Sequence, residues 1–413
     1  MMNNFKSDEK KNYRPRWLAT KIKNALNVNP VIVITGARQT GKSTLILSEK
    51  PFSDWQYLSF DDLDVLGQAK RNPEALLSPG RNVVIDEVQK APQILTVIKR
   101  IVDKNRQQHF VLSGSANLLL MKQVTESLAG RSSYFILLPF SLREWQKKLP
   151  TLLIEVVQGK LPTEKKFDAL NPLFHMFRGF LAPVLNFQNK EQIVVWWEGY
   201  TKTYLERDLR DLTEISSLSD FKRVMEVCAI KSGSILNEMD IARRCGMSQA
   251  TVHRYINLLE ASCLFIKLRP YTKGKLRRII KSPKGYFLDP GLVSYLAGYR
   301  DYNSIPLEFQ GYLFETLVLL HLNIYASLLN GNLYYWRTWG GKEKEVDFVL
   351  EVGQKIIAIE VKLAKKVNYN DIQNIQTFIE NHPMTVAGLV VYAGSELQYL
   401  TKNILAVPWN AFC

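Results

Sequence analysis

Nine consecutive residues, Gly36, Ala37, Arg38, Gln39, Thr40, Gly41, Lys42, Ser43 and Thr44, follow an apolar β-branched run from Val31 to Thr35 and precede Leu45, Ile46 and Leu47. This is the order strand, glycine-bounded loop, helix. The glycines let the backbone curl so that successive N–H groups point inward at phosphate oxygens, while Lys42 is placed to reach the β- and γ-phosphates and the Ser43 hydroxyl to ligate magnesium. A second apolar run, Asn82 to Ile85, ends in Asp86 and Glu87. A carboxylate at the carboxyl end of a parallel strand sits where ligands of such sheets bind. Asp86 is therefore expected to hold the magnesium shell and Glu87 to act as general base on the attacking water. The cofactors these residues imply are ATP and Mg2+.

A second group of residues near the C-terminus suggests a different chemistry. Asp347 falls in one apolar run and Glu360, Val361 and Lys362 end the next, with Gly353 and Gln354 as a tight turn between them. Alternation puts Glu360 and Lys362 on one strand face, with Ile357, Ile359 and Val361 expected to take the other into the core. Asp347 across the hairpin and Glu315 from the preceding helix could join them. Two or three hard oxygen ligands hold a second Mg2+ or Mn2+, and Lys362 could orient a water and steady a pentavalent phosphate.

The elements that must position these groups can be counted. Strands are expected at Val31 to Thr35, Trp55 to Phe60, Asn82 to Ile85, His109 to Leu112 and Tyr134 to Leu138, with helical patterns between them. That alternation predicts an α/β parallel sheet with covered faces. Between Pro150 and Asp211 the pattern is helical and irregular, and Trp196, Trp197, Tyr200 and Tyr204 fall at helical spacing, which suits core packing. Three helices follow, around Phe221 to Ile230, from Asn237 to Cys245, and from the N-cap Ser248. With strands at Phe265 to Leu268 and Tyr286 to Leu288, this resembles a winged helix whose third helix would present Gln249, Ala250, His253 and Arg254 outward.

The chain carries 54 Lys and Arg against 39 Asp and Glu, a formal charge of +15. Such an excess favours a polyanionic partner through long-range attraction and counterion release. From Lys267 to Lys284 eight basic residues occur with no acid, among them Lys273, Lys275, Arg277 and Arg278. These four, with Arg254, are the expected DNA contacts. A second basic cluster, Lys6 to Lys23, reads as a solvated face.

The motifs GARQTGKST, SFDDLD, VVIDEVQKAP, FVLSGSANLLL and ESLAGR, followed by YTKTYLERDLRDL, YFLDPGL, GYLFE and EVDFVLEV with IEVK, occur in that order over nearly the whole chain. In this the sequence resembles prokaryotic AAA-type P-loop ATPases that carry a C-terminal restriction-endonuclease-like domain. The resemblance implies a polar sensor at the end of the fourth strand, on Ser115 or Ser113, and an arginine before the fifth strand, on Arg131. Ending a helix at the phosphate edge of the sheet, Arg131 could cancel developing charge on a neighbouring subunit's nucleotide in a homo-oligomer. The family's Glu, Asp and ExK positions fall on Glu315, Asp347, Glu360 and Lys362, although Val346 stands where the family has Pro.

At 413 residues the chain exceeds a single core. The expected division is 1–145 as the AAA-type ATPase domain, 146–215 as a helical lid or connector, 216–300 as the winged helix and 301–413 as the restriction-endonuclease-like α/β domain. An apolar share of 46% excludes disordered and fibrous classes. Glu315, His321 and Asn323 interrupt the most apolar helix, so no membrane partner is expected, and without a secretory signal the expected location is cytoplasmic. Cys228, Cys245, Cys263 and Cys413 have neither disulfide nor zinc spacing. The reading is an ATPase that couples nucleotide state to DNA-contacting and nuclease-like domains. Its alternative is a nucleotide-gated protein-interaction switch with non-catalytic C-terminal domains.

Overall fold

A computed structural model describes residues 13–77, 80–114, 127–203, 217–272, 274, 278, 281–338 and 343–413. The chain forms two compact units, Met1–Phe140 with Ala261–Cys263, and Ser141–Glu260 with Leu264–Cys413. This differs from the expected four segments, for reasons given below.

The first unit opens with α1 (Leu18–Ala25) and holds β1 (Val31–Thr35), α2 (Lys42–Ser48), β2 (Gln56–Ser59), α3 (Leu63–Arg71), β3 (Val83–Asp86), α4 (Ile94–Lys104), β4 (Phe110–Ser113) and β5 (Ser132–Ile136). The strands form one sheet in the order β2-β3-β4-β1-β5, and every pairing is parallel. Continuous β-branched runs suit central strands buried on both faces. Period-two alternation then sorts the residues. Val31, Val33, Leu58, Val83, Ile85, Phe110 and Leu112 fill one core with α4, whereas Ile32, Ile34, Val84 and Val111 pack on the other side with Leu45 and Ile46 of α2. The same parity carries Tyr57, Asp86 and Ser113 to the α2 side.

In the second unit, α5 (Pro172–Arg178) and α6 (Lys190–Thr203) lead to α7 (Leu218–Ile230), α8 (Glu238–Cys245) and α9 (Gln249–Ala261), then to a two-stranded antiparallel sheet. Its strands are β7 (Phe265–Leu268) and β8 (Lys284–Phe287), and α10 (Pro290–Leu296) and α11 (Leu307–Leu329) follow. Gly246, left-handed at φ 67°, closes α8 as an αL cap, and the Ser248 hydroxyl accepts the Thr251 amide at 3.1 Å to begin α9.

A seven-stranded sheet completes the unit. It runs β6 (Lys165–Lys166), β13 (Glu396–Thr401), β14 (Ile404–Pro408), β12 (Thr385–Tyr392), β11 (Lys355–Lys362), β10 (Glu345–Val352), β9 (Asn332–Arg337), with α12 (Gln373–Asn381) and α11 packed on it. Gly353 and Gln354 make the expected hairpin turn, Gly353 at φ 60°.

Polar and steric junctions cross the expected borders at 215/216 and 300/301. β6, from the expected connector, pairs with β13. The buried Asp289 carboxylate caps α10 through the Gly291 amide at 2.8 Å and accepts the Phe180 amide at 2.9 Å. A Cβ at Gly291 would lie 2.7 Å from the Arg178 carbonyl oxygen, so only glycine allows that approach. Trp197 is buried and Tyr200 nearly so, as expected for packing, and Tyr204 lies outside the described residues. Among the described residues α11 alone is long and apolar enough to span a membrane, with a mean hydropathy of 1.4, and 67% of that stretch is buried within the protein.

Candidate functional site

In the first unit the chain leaves β1 into the loop Gly36 to Gly41 and enters α2 at Lys42. Gly36 has φ 149° and Gly41 φ 92°, while Gln39 adopts a left-handed 66° without being glycine. A Cβ on Gly36 would stand 2.4 Å from the Leu137 carbonyl oxygen, where β5 closes on β1. Lys42 is buried, and its Nζ donates to the carbonyls of Gly36 at 3.0 Å and Ala37 at 2.9 Å. The Thr40 hydroxyl donates to the Ala37 carbonyl at 3.0 Å. Burial lowers the Lys42 ammonium below the ordinary lysine range, opposed by Glu87 and Asp86. The loop is thus curled around its own cation.

Asp86 is the hub of the site. Its Oδ2 accepts the Ser43 and Tyr57 hydroxyls, each at 2.7 Å, and its Oδ1 accepts the Ser113 hydroxyl and the Glu87 amide, the latter at 3.1 Å. Of the two expected sensor positions, Ser113 meets Asp86, and Ser115 lies outside the described residues. Glu87 follows with φ 55°, a left-handed conformation that is strained for a side-chain-bearing residue and turns the chain sharply at the strand end. Burial raises its carboxyl above the ordinary range, and Gln89 holds it by a hydrogen bond. Hard oxygen donors converge in Ser43 Oγ and the Asp86 carboxylate, which fits Mg2+.

Two residues of this site were not legible in the sequence. Tyr57 reads only as an aromatic in a strand. Arg16, from the basic stretch expected to face solvent, is instead buried, donating to the Thr40 carbonyl at 2.8 Å and the Leu138 carbonyl at 2.7 Å, with its guanidinium 4.0 Å from the Phe140 ring centroid. It fastens the loop to the segment after β5.

Arg131 requires correction. Its carbonyl accepts the Val31 amide at 3.1 Å, at the amino-terminal edge of the sheet, and its guanidinium pairs with Asp103 beside the end of α4. The parallel direction of β1 and β5 puts this edge opposite the loop, so within its own chain Arg131 is not at the phosphate edge.

The C-terminal residues are brought together, but not as expected. Ile357, Ile359, Ile356 and Ala358 are all buried, because helices pack on the sheet and leave neither face of β11 to solvent. Glu360, only 5% exposed, therefore lies within the core and not outside an apolar layer. Its Oε1 accepts Lys362 Nζ at 2.9 Å, and its Oε2 is buried with no partner. Asp347 accepts the Val361 amide at 2.8 Å, and Glu315 is held by the Tyr286 hydroxyl. Beside Lys362, a second cation stands among these carboxylates: Lys284, 5% exposed, whose Nζ lies 3.4 Å from Glu315 Oε1 and pairs with Glu345. Among the described residues no group of three or more His, Cys, Asp or Glu side chains is arranged to hold a metal.

Burial raises the Glu315 carboxyl to about 7, with Asp347 adding to the shift and Lys284 opposing it, and raises Glu360 to about 8 with Asp347 adding. Burial depresses Lys284, but Glu315, Asp347 and Glu345 outweigh it, and the ammonium ends well above the ordinary lysine range. Charge repulsion that a divalent ion was expected to relieve is opposed here by two ammonium groups of the chain, Lys284 from β8 beside Glu315 and Glu345 and Lys362 from β11 beside Glu360.

One of the expected DNA contacts, Arg278, is found in a different role. Arg278 is buried, with Nη1 2.9 Å and Nη2 3.2 Å from the Glu351 carboxylate, Nε donating to the Thr272 carbonyl at 2.8 Å, and the rings of Tyr271 and Tyr334 at 4.4 and 4.7 Å. A guanidinium so enclosed has no face left for a phosphate. Lys273, Lys275 and Arg277 lie outside the described residues. On α9, Gln249 and Ala250 are exposed, but His253 is held by Glu238 at 3.0 Å and the Arg254 guanidinium rests 5.5 Å from the Tyr255 ring. Arg278→Ala is expected to leave the salt dependence of DNA retention unchanged and to destabilise the unit by about 3 kcal/mol, since it strands the Glu351 carboxylate. A flattened salt slope with full stability would return Arg278 to the DNA contacts.

Residues 28–146 match a family described as an AAA domain. Residues 173–303 and 310–412 match two domains of unknown function, DUF8612 and DUF4143. An uncharacterized protein of Mycobacterium tuberculosis is 28% identical over 401 residues, covering 95% of this chain and 83% of that protein. An uncharacterized protein of Methanocaldococcus jannaschii is 24% identical over 342 residues, covering 78% and 72%. Among solved structures, a Walker-type ATPase of Pyrococcus abyssi aligns over 69% of this chain and 96% of its own, with 13% identity and a TM-score of 0.44. The domain match falls on the segment whose loop, parallel sheet and Asp86 hub were described above, and the first unit is an AAA-type P-loop domain.

Proposed function

We propose that this AAA-type domain binds and hydrolyses ATP, and that the second unit is the element its nucleotide state regulates. The observation that carries the reading is the convergence of Ser43, from the phosphate loop, and Asp86, from the adjacent strand end, with Glu87 next in sequence. The loop amides from Ala37 to Thr44 and Lys42 would cradle the phosphates, and Ser43 and Asp86 would hold the magnesium, which when bound neutralises phosphate charge. Glu87 would take the proton of the attacking water. Arg131, at the opposite edge, could act only on another copy's nucleotide, so its catalytic role requires a homo-oligomer.

The test is Mg2+-dependent ATP hydrolysis by the full chain, with Lys42→Ala as control. Losing hydrogen bonds to charged phosphates is expected to weaken ATP binding by about 30-fold or more, equivalent to about 2 kcal/mol. Undiminished affinity would remove the loop from the phosphate site.

For the second unit, two readings differ in partner. A DNA-contacting winged helix with a metal-dependent nuclease-like site at Glu315, Asp347, Glu360 and Lys362 is one. The other is a protein-interaction switch on a non-catalytic scaffold, favoured by Lys284 filling the carboxylate cluster and by the Arg278 contact with Glu351. ATPase measured with and without DNA separates them: stimulation by DNA supports the first, and indifference to DNA, with no Mn2+-dependent cleavage, supports the second.

A further inference from the structure

Resting on the ATP reading above, we infer that Tyr57 is a positioning residue for the divalent cation of the nucleotide site, acting through Asp86. Strand parity carries Tyr57 to the same side of the sheet as Asp86, Ser113 and α2, and its hydroxyl donates to Asp86 Oδ2 at 2.7 Å. A carboxylate offers about four lone-pair sites. Asp86 has four protein donors: Ser113 and the Glu87 amide on Oδ1, Ser43 and Tyr57 on Oδ2. The two on Oδ2 are not equivalent. Ser43 sits at the loop-helix junction and is itself the expected ligand, so its position answers to the cation and the phosphates. Tyr57 stands on β2, held by the ladder between β2 and β3, where Tyr57 aligns with Val84 and Ser59 with Asp86. It has no ligand role of its own.

The consequence is directional. With Tyr57 in place the plane of the carboxylate is fixed from both oxygens by donors on β2 and β4, one strand on each side of β3. Without its hydroxyl, Oδ2 is held by Ser43 alone, and the carboxylate can turn with the group it is meant to orient. The phosphate cradle, built from loop amides and Lys42, does not include Tyr57. Removing the phenol oxygen therefore separates cation binding from nucleotide binding.

Partners that orient a metal-binding group typically contribute 10- to 100-fold in metal affinity. The experiment compares the full-length parent with Tyr57→Phe, which keeps the ring and deletes one oxygen. ADP affinity is measured by calorimetry in EDTA, and Mn2+ binding to the ADP-loaded protein is followed by electron paramagnetic resonance. The expected result is ADP affinity in EDTA within about twofold of the parent and Mn2+ affinity lower by about tenfold. Unchanged or tighter Mn2+ binding overturns the assignment, as does an equal loss of ADP affinity in EDTA, which would make Tyr57 a packing residue only. A parent that binds no ADP under either condition defeats the ATP reading itself, an outcome separate from the other two.

Discussion

Glu87→Gln is expected to lower ATP turnover by about 10²- to 10⁴-fold, the usual contribution of a positioned general base, while leaving ATP affinity close to the parent's. Glutamine keeps the shape and can still meet Gln89, but it cannot accept the proton of the attacking water. The pH dependence provides an independent check. Burial lifts the Glu87 carboxyl above the ordinary carboxylate range. A base works only when deprotonated, so the parent loses turnover as pH falls through that raised value, and the acid limb lies above the 4.5 of an ordinary glutamate. The residual activity of the variant should lack this limb. Single-turnover hydrolysis from acid to neutral pH measures both effects. Parent-like turnover in the variant would mean that another group takes the proton.

Lys284→Met should be the most damaging single change in the second unit. Removing one partner of a buried ion pair leaves uncompensated charge and costs about 3–5 kcal/mol. Here Glu315 and Glu345 both contact the lost ammonium, with Asp347 close enough to act on it through charge. The sign of the pH dependence follows from the carboxyls. Burial already places Glu315 at about 7 and Glu360 at about 8. Without the lysine Glu315 rises further, so above the ordinary glutamate value the folded variant holds a proton that the unfolded chain has released. Its stability then falls as pH rises. The loss should therefore be smallest near pH 5 and grow toward pH 8, read from urea unfolding of parent and variant. Adding Glu315→Gln to Lys284→Met should recover part of it, because it removes one of the stranded charges. A variant as stable as the parent at pH 8 would show that Lys284 is not the cation that holds this cluster together.

These two sites differ in how much of them could be read in advance. At the nucleotide site the chemistry is local. Glycines, a lysine and a serine within one turn, and a DE pair ending an apolar strand, act through their own backbone and immediate side chains. The five strands were accordingly found within two residues of their observed bounds. Arg131 stands at the opposite edge because a residue just before a strand of a parallel sheet lies at its amino-terminal end, away from the loop that follows β1. β13 and β14 were missed altogether, although Lys402 and Asn403 mark the turn between them.

At the C-terminal site the residues were identified but their environment was not. Alternation correctly placed Glu360 beside Lys362, and the hairpin placed Asp347 near them. What period-two patterning cannot report is whether the second face of a strand meets water or a helix, and here both faces are covered. Nor can it report that Lys284, 76 residues before Glu360, enters the same space, or that Arg278 finds Glu351. A run of basic residues has the same sequence signature whether each charge meets solvent, a phosphate or a carboxylate of its own chain. Local spacing thus determined the phosphate loop, its acidic partners and the parallel sheet behind them, because backbone geometry over a few residues suffices. The partners of the long-range charges, and with them the character of the second unit, were decided only when tertiary packing removed water from ion pairs distant in sequence.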